Sequence, residues 1–177
     1  MTQPAPEAIQ MGNWFVLLDP AWQAETPDEP PPPHVIAGGW RVADDGTVGP
    51  FEPNSDFEPS SDTTPTDPTD AILRRIARGE PVGDDLIPTL RHAVVEIACD
   101  GEDLPLIGDA PDGVACVLVA TSPLHRRGGP VDRWRRVRGR VLPDVVPHGL
   151  DILLNPAGPA PFRLITEKLD RADDSDR

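Results

Sequence analysis

The sequence predicts an α+β fold: a mixed or antiparallel sheet with short helices set apart from it, preceded by a Pro-rich N-terminal segment carrying a β-hairpin. Three observations lead there. The apolar residues of the second half come in short runs rich in Val, Ile and Leu, broken by Asp-Gly and Asn-Pro. Helical spacing with its own start and stop signals appears as a close pair, before most of those runs. The first third holds two apolar runs and then an Asp-Gly turn, which is a hairpin signal.

Residues 1–11 are polar and contain proline, so they are expected to be flexible. Residues 12–57 form a Trp- and Pro-rich acidic β segment. Its first strand is Trp14-Phe15-Val16-Leu17-Leu18, stopped by Asp19-Pro20, because Pro lacks a donor and disfavours helix before it. Pro30 to Pro33 form a polyproline II stretch. A second strand covers 34–42, Asp44-Asp45-Gly46 turns the chain, and 47–51 return. Residues 58–66, polar and Pro-containing, read as a linker.

The main domain is expected over 67–169. Asp67 can cap a helix, Pro68 suits its first position, and Asp70 sits at its third. Ile72, Leu73 and Ile76 give that helix an apolar stripe, and Gly79 ends it. A second short helix starts near Asp84-Asp85, with Pro88 tolerated in its first turn. Strands follow over 93–99, 104–107 and 113–121, the last apolar enough to be buried on both faces. Residues 122–130 read as a loop, 133–137 as extended, 140–146 as a short helix and 150–154 as a buried strand ended by Asn155-Pro156. Residues 161–169 fit either a helix or a strand. Residues 170–177 form a charged, frayed tail.

The chain has 177 residues and a net charge of −14. Residues 1–70 carry thirteen acids against one base, Arg41, whereas 123–163 carry eight arginines against three acids. Phosphate binding needs a net basic surface, so nucleic acid is excluded as a partner of the whole chain. No apolar run is long enough to span a membrane, and the N-terminus has neither the basic start nor the apolar stretch of a secretory signal, so a cytoplasmic location is expected. Cys99 and Cys116 sit inside apolar runs with no metal spacing and read as reduced core thiols.

The sequence has no Gly-x-Ser-x-Gly, no phosphate-binding glycine loop and no His-Glu-x-x-His. His34, His92, His125 and His148 are not at ligand spacing to each other or to a cysteine. His125 is the most interesting of them, because it follows Ser122 in a loop at a strand end. Asp100, Glu102 and Asp103 lack the ordered ligand pattern of a calcium loop and read as turn acids. No catalytic residue, metal or cofactor is therefore expected, and the protein is not expected to be an enzyme.

Two sets of residues point instead to binding. Arg126, Arg127, Arg133, Arg135 and Arg136 crowd around Trp134, and Arg and Trp dominate interface energetics. The same pattern also suits a core Trp beside a solvated basic face that answers the acidic first third. Trp14, Trp22 and Trp40 are either anchors that pack the N-terminal strands on the main domain or parts of an exposed docking surface, with Trp14 and Trp40 the candidate interaction residues. Thr121, Ser122, Asn155, Pro156 and Gly158 mark a turn or pocket at strand ends. Asn tolerates left-handed geometry there and Pro fixes the exit from the strand.

With these residues in view, the chain resembles an actinobacterial family, the type VII secretion system-associated proteins, and over its second part the SseB domain. The first likeness lies in residues 14–20, 33–39, the Asp45-Gly46 turn and Pro50-Phe51-Glu52-Pro53-Asn54. The second lies in Gly113-Val114, residues 117–122, Trp134 with Val137 and Gly139, residues 147–151, and Leu153-Leu154-Asn155-Pro156 with Gly158. Ala157 departs from the family, which has Gly directly after Asn-Pro. The resemblance implies an SseB-like accessory protein that binds a secretion substrate, a secretion component or a toxin partner, in a chaperone-like or immunity-like role. The alternative is a small-ligand-binding regulatory domain with its pocket near Thr121 and Asn155.

Overall fold

The computed structural model describes residues 3–26, 29–126, 131 and 133–171, with side chains as far as Leu169. The fold is α+β, with two sheets and short helices. The first sheet is antiparallel, in the order β1 (Ile9–Met11), β2 (Trp14–Leu18), β3 (Ile36–Val42), β4 (Val48–Pro53). The β3–β4 connection is the hairpin expected from Asp45-Gly46, with Gly46 at φ 84° and the Asp45 carboxylate accepting from the Thr47 N–H at 2.9 Å. Residues 9–11 differ from expectation. They are a strand paired to β2 and not a loose terminus, because β2 offers an edge that the local polar sequence does not reveal.

Two helices follow, α1 (Pro68–Ala77) and α2 (Leu86–Arg91). Asp67 caps α1 by accepting from the Asp70 N–H, as the sequence predicted. Gly79 takes φ 80° just beyond the helix, where its N–H reaches the Ile76 carbonyl. The second sheet contains β5 (Val94–Cys99), β6 (Ile107–Asp109), β7 (Ala115–Ala120), β8 (Arg133–Arg138), β9 (Asp151–Leu154) and β10 (Phe162–Leu164). Its path is β10-β9-β7-β5-β8, with β6 paired to β7. The β7–β9 pair is parallel and the rest are antiparallel, so the sheet is mixed. The chain crosses from β7 to β9 through β8 and α3 (Leu142–Val145), and it closes with α4 (Glu167–Arg171).

Three more boundaries move. The strand expected over 104–107 forms over 107–109. Pro105 has no N–H to donate, and the chain there shifts from beside β5 to the edge of β7. Residues 161–169 are both readings in succession, β10 and then α4. The linker expected over 58–66 is tied down. The Asp19 carboxylate accepts from the Ser60 N–H at 2.7 Å and from its hydroxyl at 2.8 Å, and Thr64 and Thr66 are buried. Just before this stretch, Phe57 is 2% exposed.

One core spans both sheets. Phe15, Trp40 and Phe51 of the first sheet share a cluster with Leu73 and Leu90 of the helices and Val95, Ile97, Val119 and Leu154 of the second sheet. The Phe51 N–H also donates to the His92 carbonyl at 2.8 Å, beside a parallel bridge from Phe51 to Ala93. A smaller cluster covers the opposite face of the second sheet. It contains Ala98, Ala110, Cys116, Leu118 and Leu153, with Trp134 packed on it.

Candidate functional site

The N-terminus of α1 meets the carboxyl ends of the parallel strands β7 and β9. Their register puts Val119 opposite Leu154, and the Asn155 N–H donates to the Val119 carbonyl at 2.8 Å. Asn155 turns there with φ 51°, a conformation that Asn adopts more readily than most residues. Its Oδ1 then accepts from the Thr121 N–H at 2.8 Å and lies 3.0 Å from the Thr121 hydroxyl. Thr121 Oγ1 also reaches Asp67 Oδ2 at 2.7 Å. The helix cap, the two strand ends and the loop after β7 are thus joined by one buried polar network.

His125 completes this corner from the 3₁₀ turn after β7, which Ser122 caps. It is 3% exposed. Thr66 Oγ1 donates to Asp67 Oδ2 at 2.8 Å and lies 2.8 Å from His125 Nε2. The hydroxyl has one proton; where it goes to an ionised Asp67, the Thr66–His125 contact needs a proton on Nε2. Asp70 Oδ1 lies 3.4 Å from the same Nε2, and Asp70 Oδ2 accepts from Arg74 Nε at 2.7 Å and from the Thr66 N–H at 3.0 Å. Burial raises the Asp67 carboxyl, and the neighbouring Asp70 charge raises it further. Burial pushes Asp70 up as well, but the nearby His125, with bonds from the Thr66 N–H and Arg74, brings it below its ordinary value.

In a nucleophile–base–acid relay the nucleophile and the acid address opposite ring nitrogens. Here Thr66 and Asp70 both address Nε2, and Thr66 Oγ1 also bonds Asp67. The arrangement pins a helix to two strand ends. A cavity of about 450 Å³ adjoins it, lined by His125, Thr66, Arg74, Leu124 and Gly158 among others. Of the expected turn or pocket residues, Gly158 lines this cavity, whereas Thr121, Ser122 and Asn155 are buried inside the corner. Gly158 lies so close to the ring that a Cβ there would stand 2.9 Å from His125 Nδ1.

A larger feature lies on the other side of α1. A groove of about 1140 Å³ runs between the first sheet and the two helices. Leu17, Trp40, Val48 and Phe51 line its sheet side, and Pro68, Ala71, Ile72 and Pro88 its helical side. Trp40 and Phe51 meet edge to face, with centroids 4.8 Å apart. Trp22 stands at the lip, half-buried, directly after the Asp19-Pro20 stop. The sequence marks Trp22 only as one of three N-terminal Trp, and it does not reveal this groove. Its walls come from elements up to about 90 residues apart in the chain, and only folding brings them together.

The predicted interaction residues divide. Trp40 is buried at 7% exposure and is a core anchor of the first sheet. Trp14 is half-buried, and Trp134 is half-buried against the smaller cluster. Arg126 makes a two-pronged bond to the buried Glu96 at 2.6 and 2.7 Å. Arg133 and Arg135 both pair with Asp103, at 2.8 and 3.1 Å. Arg136 reaches Glu52 of the first sheet at 3.4 Å. Much of the basic strip is therefore matched by acids of its own chain, including one from the acidic first third. Arg127 lies outside the described residues. Among the described residues no group of three or more His, Cys, Asp or Glu side chains is placed to hold a metal ion, and no helix is long and apolar enough to cross a membrane. Comparison with family models, curated proteins and solved structures finds no match to this chain.

Proposed function

We propose that this protein is a non-enzymatic accessory protein that binds a segment of another protein in the groove between its first sheet and its helices. The observation that carries the reading is the groove itself: about 1140 Å³, largely apolar, with a half-buried Trp at its lip. Partly exposed aromatic residues at the edge of an apolar cleft are the usual anchors of protein interfaces. Prolines on both walls, Pro4 and Pro6 on one side and Pro65, Pro68 and Pro88 on the other, stiffen the groove, which lowers the ordering cost of binding. The resemblance to type VII secretion system-associated proteins supplies the setting. The partner is then a secretion substrate, a secretion component or a toxin, and the role is chaperone-like or immunity-like in the cytoplasm.

The test is affinity capture of the tagged protein from its host, alongside Trp22→Ala and an Arg135→Glu/Arg136→Glu double variant. One stoichiometric partner, lost in Trp22→Ala and kept in the double variant, supports the groove. Loss only in the double variant moves the interface to the arginine strip. Capture of nothing by the unaltered protein counts against the reading.

A further inference from the structure

We infer that the occupant of the groove is a cationic apolar segment: a stretch of a partner protein with apolar side chains and Lys or Arg flanking them. This inference rests on the groove reading above and adds the chemistry of the ligand. The apolar part follows from the lining, where Leu17, Trp22, Trp40, Val48 and Ile72 leave little for a polar side chain to bond. The charge follows from the rim. Glu7 and Asp85 are exposed groove residues on opposite walls, one from the N-terminal segment and one just before α2. Arg75 also lines the groove; Glu80 Oε2 holds its Nε at 2.7 Å but also binds Arg78, so this trio keeps one positive charge, outnumbered by Glu7, Asp85 and the groove-lining Asp19. Across the first seventy residues acids outnumber bases thirteen to one, with Glu52 and Asp70 paired to arginines beyond that stretch. A potential of that sign attracts a basic segment over many ångströms and repels an acidic one, setting association rate and selectivity more than final affinity. Apolar contacts hold the segment once it has arrived.

The experiment uses two synthetic peptides of about twelve residues, a length suited to groove recognition. Both carry the same Leu and Trp residues, one with Lys and the other with Glu at the remaining positions. Binding is followed by fluorescence anisotropy with the full-length protein. The Lys peptide is expected to bind at least about tenfold more tightly than the Glu peptide, a margin that about 150 mM salt reduces. Glu7→Lys/Asp85→Lys is expected to shrink or invert the preference, and Trp22→Ala to weaken the Lys peptide with the fold intact by circular dichroism. Equal binding of the two peptides, lost in Trp22→Ala, overturns the charge inference and leaves the groove reading standing. Binding that Trp22→Ala does not change, or no binding of either peptide, overturns both. Self-association abolished by Trp22→Ala would make a second copy of the chain the occupant and overturn the inference.

Discussion

At the scale of single residues, Asp67 and Asp70 show how three positions along one helix turn set opposite behaviour. Asp70 holds the Arg74 guanidinium and the Thr66 N–H and lies beside His125, so its charged form is the bonded form. Asp70→Asn removes a buried charge that its partners need, and a loss of about 3 kcal/mol is expected. Asp67 is a cap whose Oδ2 faces two hydroxyls. Hydroxyls can turn, so Asp67→Asn is expected to change stability by no more than about 1 kcal/mol, with Thr121 still serving Asn155 and Thr66 able to rotate. The pH dependence separates the two. Asp70 is depressed below its reference value of 3.8, so its contribution is present above that value and is lost as pH falls through the folded value. Asp67 is raised, so its contribution is complete below 3.8 and is lost as pH rises through its folded value. Urea midpoints from about pH 3 to 7 should show a shallower acid limb in Asp70→Asn and a smaller loss on rising pH in Asp67→Asn. Identical profiles for the two variants would disprove this division.

At the scale of elements, packing against backbone leaves some positions no room. A Cβ on Gly139 would lie 1.8 Å from the Leu90 carbonyl oxygen at the end of α2, and the Gly139 N–H bonds the Ala93 carbonyl at 2.8 Å. Neither group is a flexible side chain that can yield. Gly139→Ala is expected to cost about 2 kcal/mol or more, read as a lowered thermal midpoint; an unchanged midpoint would show that the turn after β8 can shift. β8 itself ends its sheet with four arginines among its six residues, a composition that discourages pairing with another chain. Arg126 is partly exposed and Glu96 is buried, so water tempers their attraction. A double-mutant cycle of Arg126→Ala and Glu96→Gln is expected to give a coupling of about 1 kcal/mol. A value near zero would mean that the pair is held by its surroundings alone.

At the scale of the whole molecule, the shared core predicts a single unfolding event. Trp14, Trp22 and Trp40 belong to the N-terminal third, whereas much of the second sheet is distant from them in the chain. In a Trp134→Phe background, which removes the Trp of the second sheet, Trp fluorescence and far-ultraviolet circular dichroism are expected to give coincident urea transitions, because Phe15, Trp40 and Phe51 bury their surface against the helices and the second sheet. Separate transitions would show that the first sheet folds on its own. The same junction forms the groove, so a variant that loosens the first sheet should also weaken binding of the Lys peptide there.

The sequence by itself determined the α+β class, the caps and stops of α1, the hairpin at Asp45-Gly46 and the buried strands β5, β7 and β9. Each of these follows from neighbours within a few residues, where apolar periodicity and turn chemistry act directly. It also marked Thr121, Ser122, Asn155, Pro156 and Gly158 as a turn or pocket, and His125 separately as a strand-end loop residue, since such turns carry recognisable residue types. What they do there was not legible. Asp67 and Thr66, far earlier in the chain, meet them only through the parallel β7–β9 pairing and the docking of α1. Tertiary structure alone decided that Trp40 is core, that the arginines of β8 pair with Asp103 and Glu52, and that Trp22 stands over a groove. Each depends on long-range contacts, and a sequence read locally shows which side chains want burial or a partner but not which distant element will provide it.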